Sequence, residues 1–215
     1  MASADTAVME ENAKEKQISD EVEKLQIDPL IKHPLQNRWC LWFFKNDKSK
    51  DWADNLRQIT SFDTVEDFWA LYNHIQSAAK LASGCDYNLF KDDIKPMWED
   101  DRNKTGGRWL ASFDKRGGKL MVDIEKLWLE TVLCLIGEGF DEESDIVNGS
   151  VVNIRAKGNK ISVWIGDYKR EEAVLKIGRR FKERLGLPPR FQIAFEAHQD
   201  TIVKKGSSAK SRFTI

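Results

Sequence analysis

The sequence predicts an α+β fold, with one antiparallel sheet and helices on one of its faces. Three observations carry this. Short alternating or aromatic-rich runs outnumber helical patterns. Their spacing suits hairpins and not strict strand–helix–strand alternation. The first two helical patterns carry broad apolar arcs, one side of which can pack on a sheet. The 215 residues, 41% of them hydrophobic, suffice for one domain with a tail.

The tail comes first. Residues 1–28 hold eight acids against three lysines and no aromatic residue, so the segment cannot repay its ordering entropy by burial. It is expected to be disordered, leaving 29–215 as the folded domain. Arg38–Lys45 is aromatic-rich and reads as a strand, 45–55 as a polar loop around Trp52, and Leu56–Phe62 as a second strand. Thr64 followed by Asp67 is a capping box, which starts a helix predicted to run to about Ala79. Tyr87–Phe90 reads as a strand, 91–103 as a charged loop around Trp98, Gly106-Gly107 as a turn, and Arg108–Phe113 as a strand. A second helix covers about Asp123–Gly137. Ser150–Ala156 and Lys160–Ile165 form a hairpin over the turn Lys157-Gly158-Asn159. A third helix spans about Arg170–Leu185, Phe191–Ala197 is a strand, 204–211 a mobile loop, and Phe213–Ile215 closes the chain.

The first two helices carry more apolar surface than one core contact needs. Val65, Phe68, Trp69, Leu71, Tyr72 and Ile75 cover a broad arc of the first, and eight apolar residues cover over half of the second. Deep burial explains this, and so does a groove offered to a partner.

A net charge of -1 argues against a protein that coats nucleic acid through bulk positive charge. Three widely spaced Cys without a CxxC pair argue against a disulfide framework or a cysteine zinc site. No phosphate loop, GxGxxG, HExxH or GxSxG motif occurs, and the three His are far apart, so catalysis, metal and cofactor are not expected. A binding constellation remains. Eight Trp lie between Trp39 and Trp164, and Trp52 and Trp98 fall in polar loops where a core residue would be misplaced. Glu99 follows Trp98, and a carboxylate beside an indole can accept both the N1–H and the N2–H₂ of guanine. Arg155, Lys157 and Lys160 surround a tight turn and suit phosphates. Together these point to a flat purine bearing phosphates.

His33-Pro34-Leu35, the aromatic strand from Trp39, Phe62–Trp69, Pro96-Met-Trp-Glu99, Gly106–Trp109, Trp128–Glu130 with Leu135–Gly137, and Arg155–Lys160 occur in an order that closely resembles translation initiation factor 4E, the messenger-RNA cap-binding family. The resemblance covers about 30–215 and fits the main, translation-active class. It implies a single curved sheet of about eight strands, three main helices on its convex back, and a cap slot on the concave face. Trp52 and Trp98 would then sandwich 7-methylguanine, whose positive charge adds a cation–π attraction. Glu99 would pair with its N–H donors, and Trp164 would meet the methyl group. Arg155 and Lys160 would hold the triphosphate, helped by Arg108 and Lys157. His33, Pro34, Val65, Trp69, Leu129, Glu130, Leu133 and Gly137 would bind scaffold factor 4G and 4E-binding repressors. Ser207 matches a regulatory phosphorylation site. The resemblance implies a binding protein and not an enzyme, without a cofactor, and a monomer with capped messenger RNA as ligand. The three cysteines without a CxxC pair, and the lack of a signal-peptide pattern or a run of about 18 apolar residues, lead to the expectation of a soluble cytoplasmic protein without a membrane partner. The alternative is a cap-binding repressor that does not engage the scaffold.

Overall fold

The computed structural model describes residues 31–114, 122–203 and 211–215. The acidic tail and the Ser207 loop lie outside the described residues. Pro34–Ile215 forms one compact unit, whereas His33 falls in the preceding one.

In chain order the elements of that unit are β1 (Pro34–Lys45), β2 (Leu56–Thr64), α1 (Val65–His74), β3 (Cys85–Lys91), β4 (Gly107–Asp114), α2 (Ile124–Ile136), β5 (Val147–Asn153), β6 (Gly158–Ile165), α3 (Glu171–Arg184), β7 (Ala194–Ala197), α4 (His198–Val203) and β8 (Phe213–Thr214). The strands form a single eight-stranded sheet, ordered β2-β1-β3-β5-β6-β4-β7-β8, with every neighbouring pair antiparallel. The predicted fold class is therefore the observed one.

Directly opposed residues share a face of the sheet, because side chains alternate with a period of two. One row runs Leu41–Leu89–Ser150–Val163–Trp109–Phe195 across six strands. This face carries the main core, where Phe68 of α1, Trp128 of α2 and Phe181 of α3 are each at most 3% exposed. Burying each such ring stabilises the fold by roughly 1.5–3 kcal/mol. Trp109 does more than fill space, since its Nε1–H donates to the Val174 carbonyl at 2.8 Å and pins α3 to the sheet. The helices start as their sequences dictate. Thr64 Oγ1 accepts from the Asp67 amide, and the Asp123 carboxylate accepts from the Glu125 and Lys126 amides.

Several boundaries differ from the sequence expectation. The first helix ends at His74, not near Ala79, because Glu125 of α2 captures the Ser77 hydroxyl and the Ala79 amide and draws that segment out of helical register. The β5–β6 loop is 154–157, and Gly158 already belongs to the strand. A Cβ there would lie 2.6 Å from the Phe113 carbonyl oxygen, so close strand approach and not a turn selects this glycine. Gly106-Gly107 is likewise no turn: Gly107 opens β4, and a Cβ on Gly106 would sit 1.8 Å from the Ile165 carbonyl oxygen. The strand expected at 191–197 is regular only over Ala194–Ala197, and α4 was not foreseen.

Candidate functional site

The face away from the main core holds the candidate site. Three rows cross it: Cys40–Phe90–Gly149–Trp164–Arg108–Glu196, then Trp42–Asn88–Val151–Ser162–Leu110, then Phe44–Asp86–Asn153–Lys160–Ser112. Trp164, Arg108 and Lys160 thus point to one side of the sheet, as alternation along β4 and β6 requires. Trp164 is buried in a small separate cluster with Phe90, Ile94 and Val151, its ring edge-on to Phe90 at 5.4 Å.

Trp52 and Trp98 emerge at opposite ends of these strands. The loop after Lys45 carries Trp52, and the loop after Lys91 carries Trp98. Both indoles are exposed, by 49% and 36%. Trp52 leans over the site face, with its ring 5.6 Å from that of Phe44. Glu99 is exposed and makes no hydrogen bond or ion pair with any described residue. Its carboxylate is thus available to a ligand.

The loop bearing Trp98 and Glu99 is held from within. Asp100 accepts from the Lys95 and Arg102 amides, both at 2.9 Å. Asn103 is fully buried, and its Nδ2 donates to the carbonyls of Lys95 and Met97, both at 2.9 Å. Asn148 of β5 donates to the Arg102 carbonyl (2.7 Å) and to Asn103 Oδ1 (2.9 Å). The ring of buried His198 lies 2.8 Å from the Asn103 carbonyl and packs on Trp164 with ring centroids 4.3 Å apart. Burial holds the His198 pKa down at about 4, so the ring is neutral at neutral pH.

The cations differ in their state. Arg155 forms a two-pronged ion pair with Asp86 and also donates to the Ile154 carbonyl at 3.0 Å. Burial pushes the Asp86 carboxyl up and the Arg155 guanidinium opposes this; an aimed, half-exposed cation results. Arg108 is paired with Glu196 at 2.9 Å. Lys157 and Lys160 are exposed and make no ion pair with described residues.

On the helical face, Val65 and Trp69 of α1 are exposed (36% and 37%), Leu129, Glu130 and Leu133 of α2 are half-buried, and Gly137 is exposed. Pro34 pairs with Thr64 at the start of β1, and His33 is exposed. The second helix therefore buries Trp128, Val132 and Leu135 while leaving Leu129 and Leu133, one turn apart, half open. Sequence reasoning missed Asn103, Asn148, His198, Asp86 and Glu196. The only available signals were polar residues inside apolar strand runs, as with Asn148 before Gly-Ser-Val-Val. Among the described residues no group of three metal-ligating side chains occurs, and no helix is long and apolar enough to cross a membrane.

Comparison with known proteins identifies the family. A family model described as eukaryotic initiation factor 4E matches residues 34–213. The chain is 55% identical to eukaryotic translation initiation factor 4E-1A of Danio rerio over 214 residues, covering 100% of this chain and 99% of that one. It is 61% identical to human eukaryotic translation initiation factor 4E, covering 86% and 84%. Among solved structures, initiation factor 4E-3 of C. elegans, in complex with the 4E-binding protein Mextli and a cap analog, aligns with a TM-score of 0.79 at 45% identity, covering 86% of this chain and 100% of that one. Ascaris suum initiation factor 4E-3 in complex with an m2,2,7G cap aligns with a TM-score of 0.78 at 46% identity, covering 86% and 99%.

Proposed function

The chain belongs to the eukaryotic initiation factor 4E family, and we propose that it binds the 7-methylguanosine triphosphate cap of messenger RNA and recruits that RNA to the initiation machinery through a scaffold protein. The family binds caps and is not a family of enzymes. The observation that supports the site assignment is the exposure of two loop indoles, Trp52 and Trp98, with Glu99 next to Trp98 in sequence, exposed and without a partner among the described residues, and a sheet face bearing Trp164 and cations.

In this reading Trp52 and Trp98 stack on the two sides of the base, each contact contributing about 1–3 kcal/mol. The N7-methylated base is a cation, so both indole faces and the Glu99 charge favour it over guanine. Glu99 accepts from N1–H and N2–H₂, and Trp164 lies under the methyl group. Arg155, held in aim by Asp86, and Lys160 take the phosphates, with Lys157 and Arg108 as weaker helpers; the Glu196 pair keeps Arg108 the weakest. Val65, Trp69, Leu129, Glu130, Leu133 and Gly137, with Pro34, receive an amphipathic segment of the 4G scaffold or of a 4E-binding repressor; His33 is proposed for the same role on the sequence resemblance alone. The exposure of Trp69 favours the scaffold-engaging form over a repressor that cannot bind the scaffold. Ser207 is proposed as its phosphorylation site and the cytoplasm as its place of action.

The test is retention on immobilised 7-methyl-GTP. Free 7-methyl-GTP should elute the protein and equimolar GTP should not. Elution by both at one concentration refutes the reading of the methylated base.

A further inference from the structure

The buried contacts behind the Trp98 loop do more than fold it. The loop must hold an exposed indole and an exposed carboxylate at fixed positions, yet neither has a described partner that fixes it. Its rigidity comes from below. Asn103 ties the loop to itself through two carbonyls, Asn148 ties it to β5, and the Asn103 carbonyl meets Nδ1 of His198. A carbonyl oxygen only accepts, so Nδ1 carries the proton and the tautomer is fixed. The same imidazole packs on Trp164, the floor of the site, and is 2% exposed. One side chain therefore touches both the floor and the inner backbone of the reading loop.

We propose that His198 is a positioning residue for base recognition, which together with Asn103 and Asn148 fixes the height of Trp98 and Glu99 over Trp164 and thereby sets the preference for the methylated base. This inference rests on the cap-binding reading of the site. The cation–π attraction exists only at stacking distance, whereas exposed hydrogen-bonding groups tolerate a looser loop with water in between. Loosening the loop therefore costs the methylated nucleotide more than the unmethylated one. A positive charge at His198 would also oppose the cationic base; the other charged groups near the ring are Arg108 and, paired with it, Glu196.

The experiment compares His198→Leu, His198→Gln and Asn148→Ala in the full chain. Affinities for 7-methyl-GTP and GTP are measured beside affinity for a scaffold-type amphipathic peptide and the melting temperature. His198→Leu removes the N–H and should lower the 7-methyl-GTP to GTP affinity ratio about tenfold, with peptide affinity unchanged. His198→Gln keeps a neutral N–H donor and should restore the ratio to within about twofold of wild type. Asn148→Ala, which leaves His198 intact, should lower the ratio in the same sense and keeps the idea testable if His198→Leu does not fold. An unchanged ratio in a folded His198→Leu or Asn148→Ala protein overturns the proposal, and so does a parallel loss of both nucleotides and the peptide. A wild-type protein without preference for 7-methyl-GTP refutes instead the cap-binding reading beneath it.

Discussion

Replacing Glu99 by Ala separates reading of the base from attraction to phosphate. The carboxylate is exposed and bonded to no described residue, so its removal leaves no buried group unpaired and should not move the melting temperature. In the complex it accepts two hydrogen bonds while charged, each contributing about 1.5–3 kcal/mol, and it faces a cationic ring. Discounting for solvent at an open site leaves about 2–4 kcal/mol, or roughly 30- to 1000-fold in Kd for 7-methyl-GTP. Lys157→Ala removes one exposed ammonium without an ion pair to a described residue, an effect of about 0.2–1 kcal/mol or no more than about fivefold. Salt separates the two further. The Lys157 effect should fade between about 50 and 300 mM as the Debye length shrinks, while the Glu99 effect persists because direct hydrogen bonds carry it. Isothermal titration of both variants at two salt concentrations measures this. Equal losses, or a Glu99 effect that vanishes with salt, would refute the guanine-reading role.

Further substitutions test other parts of the account. Trp69→Ala should leave 7-methyl-GTP affinity within about twofold and abolish binding of a scaffold peptide, since the ring is 37% exposed and packs edge-on to Tyr72 at 6.1 Å; loss of both activities would make Trp69 a core residue. Glu125 joins Tyr72 of α1 to α2 while also holding Ser77 and Ala79, so Glu125→Ala should weaken peptide binding about three- to tenfold with cap affinity unchanged. Unchanged peptide affinity shows that this carboxylate does not set the spacing of the two helices. His198 is neutral when folded, with a pKa of about 4 against 6.5 for the unfolded group. Its contribution is complete above about pH 6.5 and is lost as pH falls toward 4, because only the unfolded chain takes up the proton. The loss is on the order of 3 kcal/mol. Denaturant unfolding from pH 7 to 4 should therefore fall less steeply for His198→Gln than for wild type, and identical slopes would show that burial does not depress this group.

Much of the candidate site was legible because its residues violate the expectations for their surroundings. Trp52 and Trp98 stood out as large aromatic residues in polar loops, and the structure leaves both exposed. Trp109 and Trp128 sit inside regular apolar patterns and are buried in the core. The broad apolar surface of the second helix was correctly ambiguous, since α2 buries Trp128 and Val132 while Leu129 and Leu133 stay half open. What was not legible depends on partners distant in sequence. Nothing local to Asn103 announces that Asn148 and His198, 45 and 95 positions away, will meet it. The end of α1 at His74 is set by Glu125, on another helix, and so overrides a favourable local pattern. Gly107 and Gly158 mimic turns because close approach of strands and tight turns both demand the smallest residue.

The central claim is that two indoles close on a cationic base. Titration of intrinsic tryptophan fluorescence with 7-methyl-GTP, and separately with GTP, tests it directly, because Trp52 and Trp98 are the most solvent-exposed indoles after Trp69 is set aside as a residue of the opposite face. Strong saturable quenching by 7-methyl-GTP, at least tenfold weaker binding of GTP, and loss of most of the quenching in Trp52→Leu and Trp98→Leu are expected. Equal, weak responses to both nucleotides would contradict the claim.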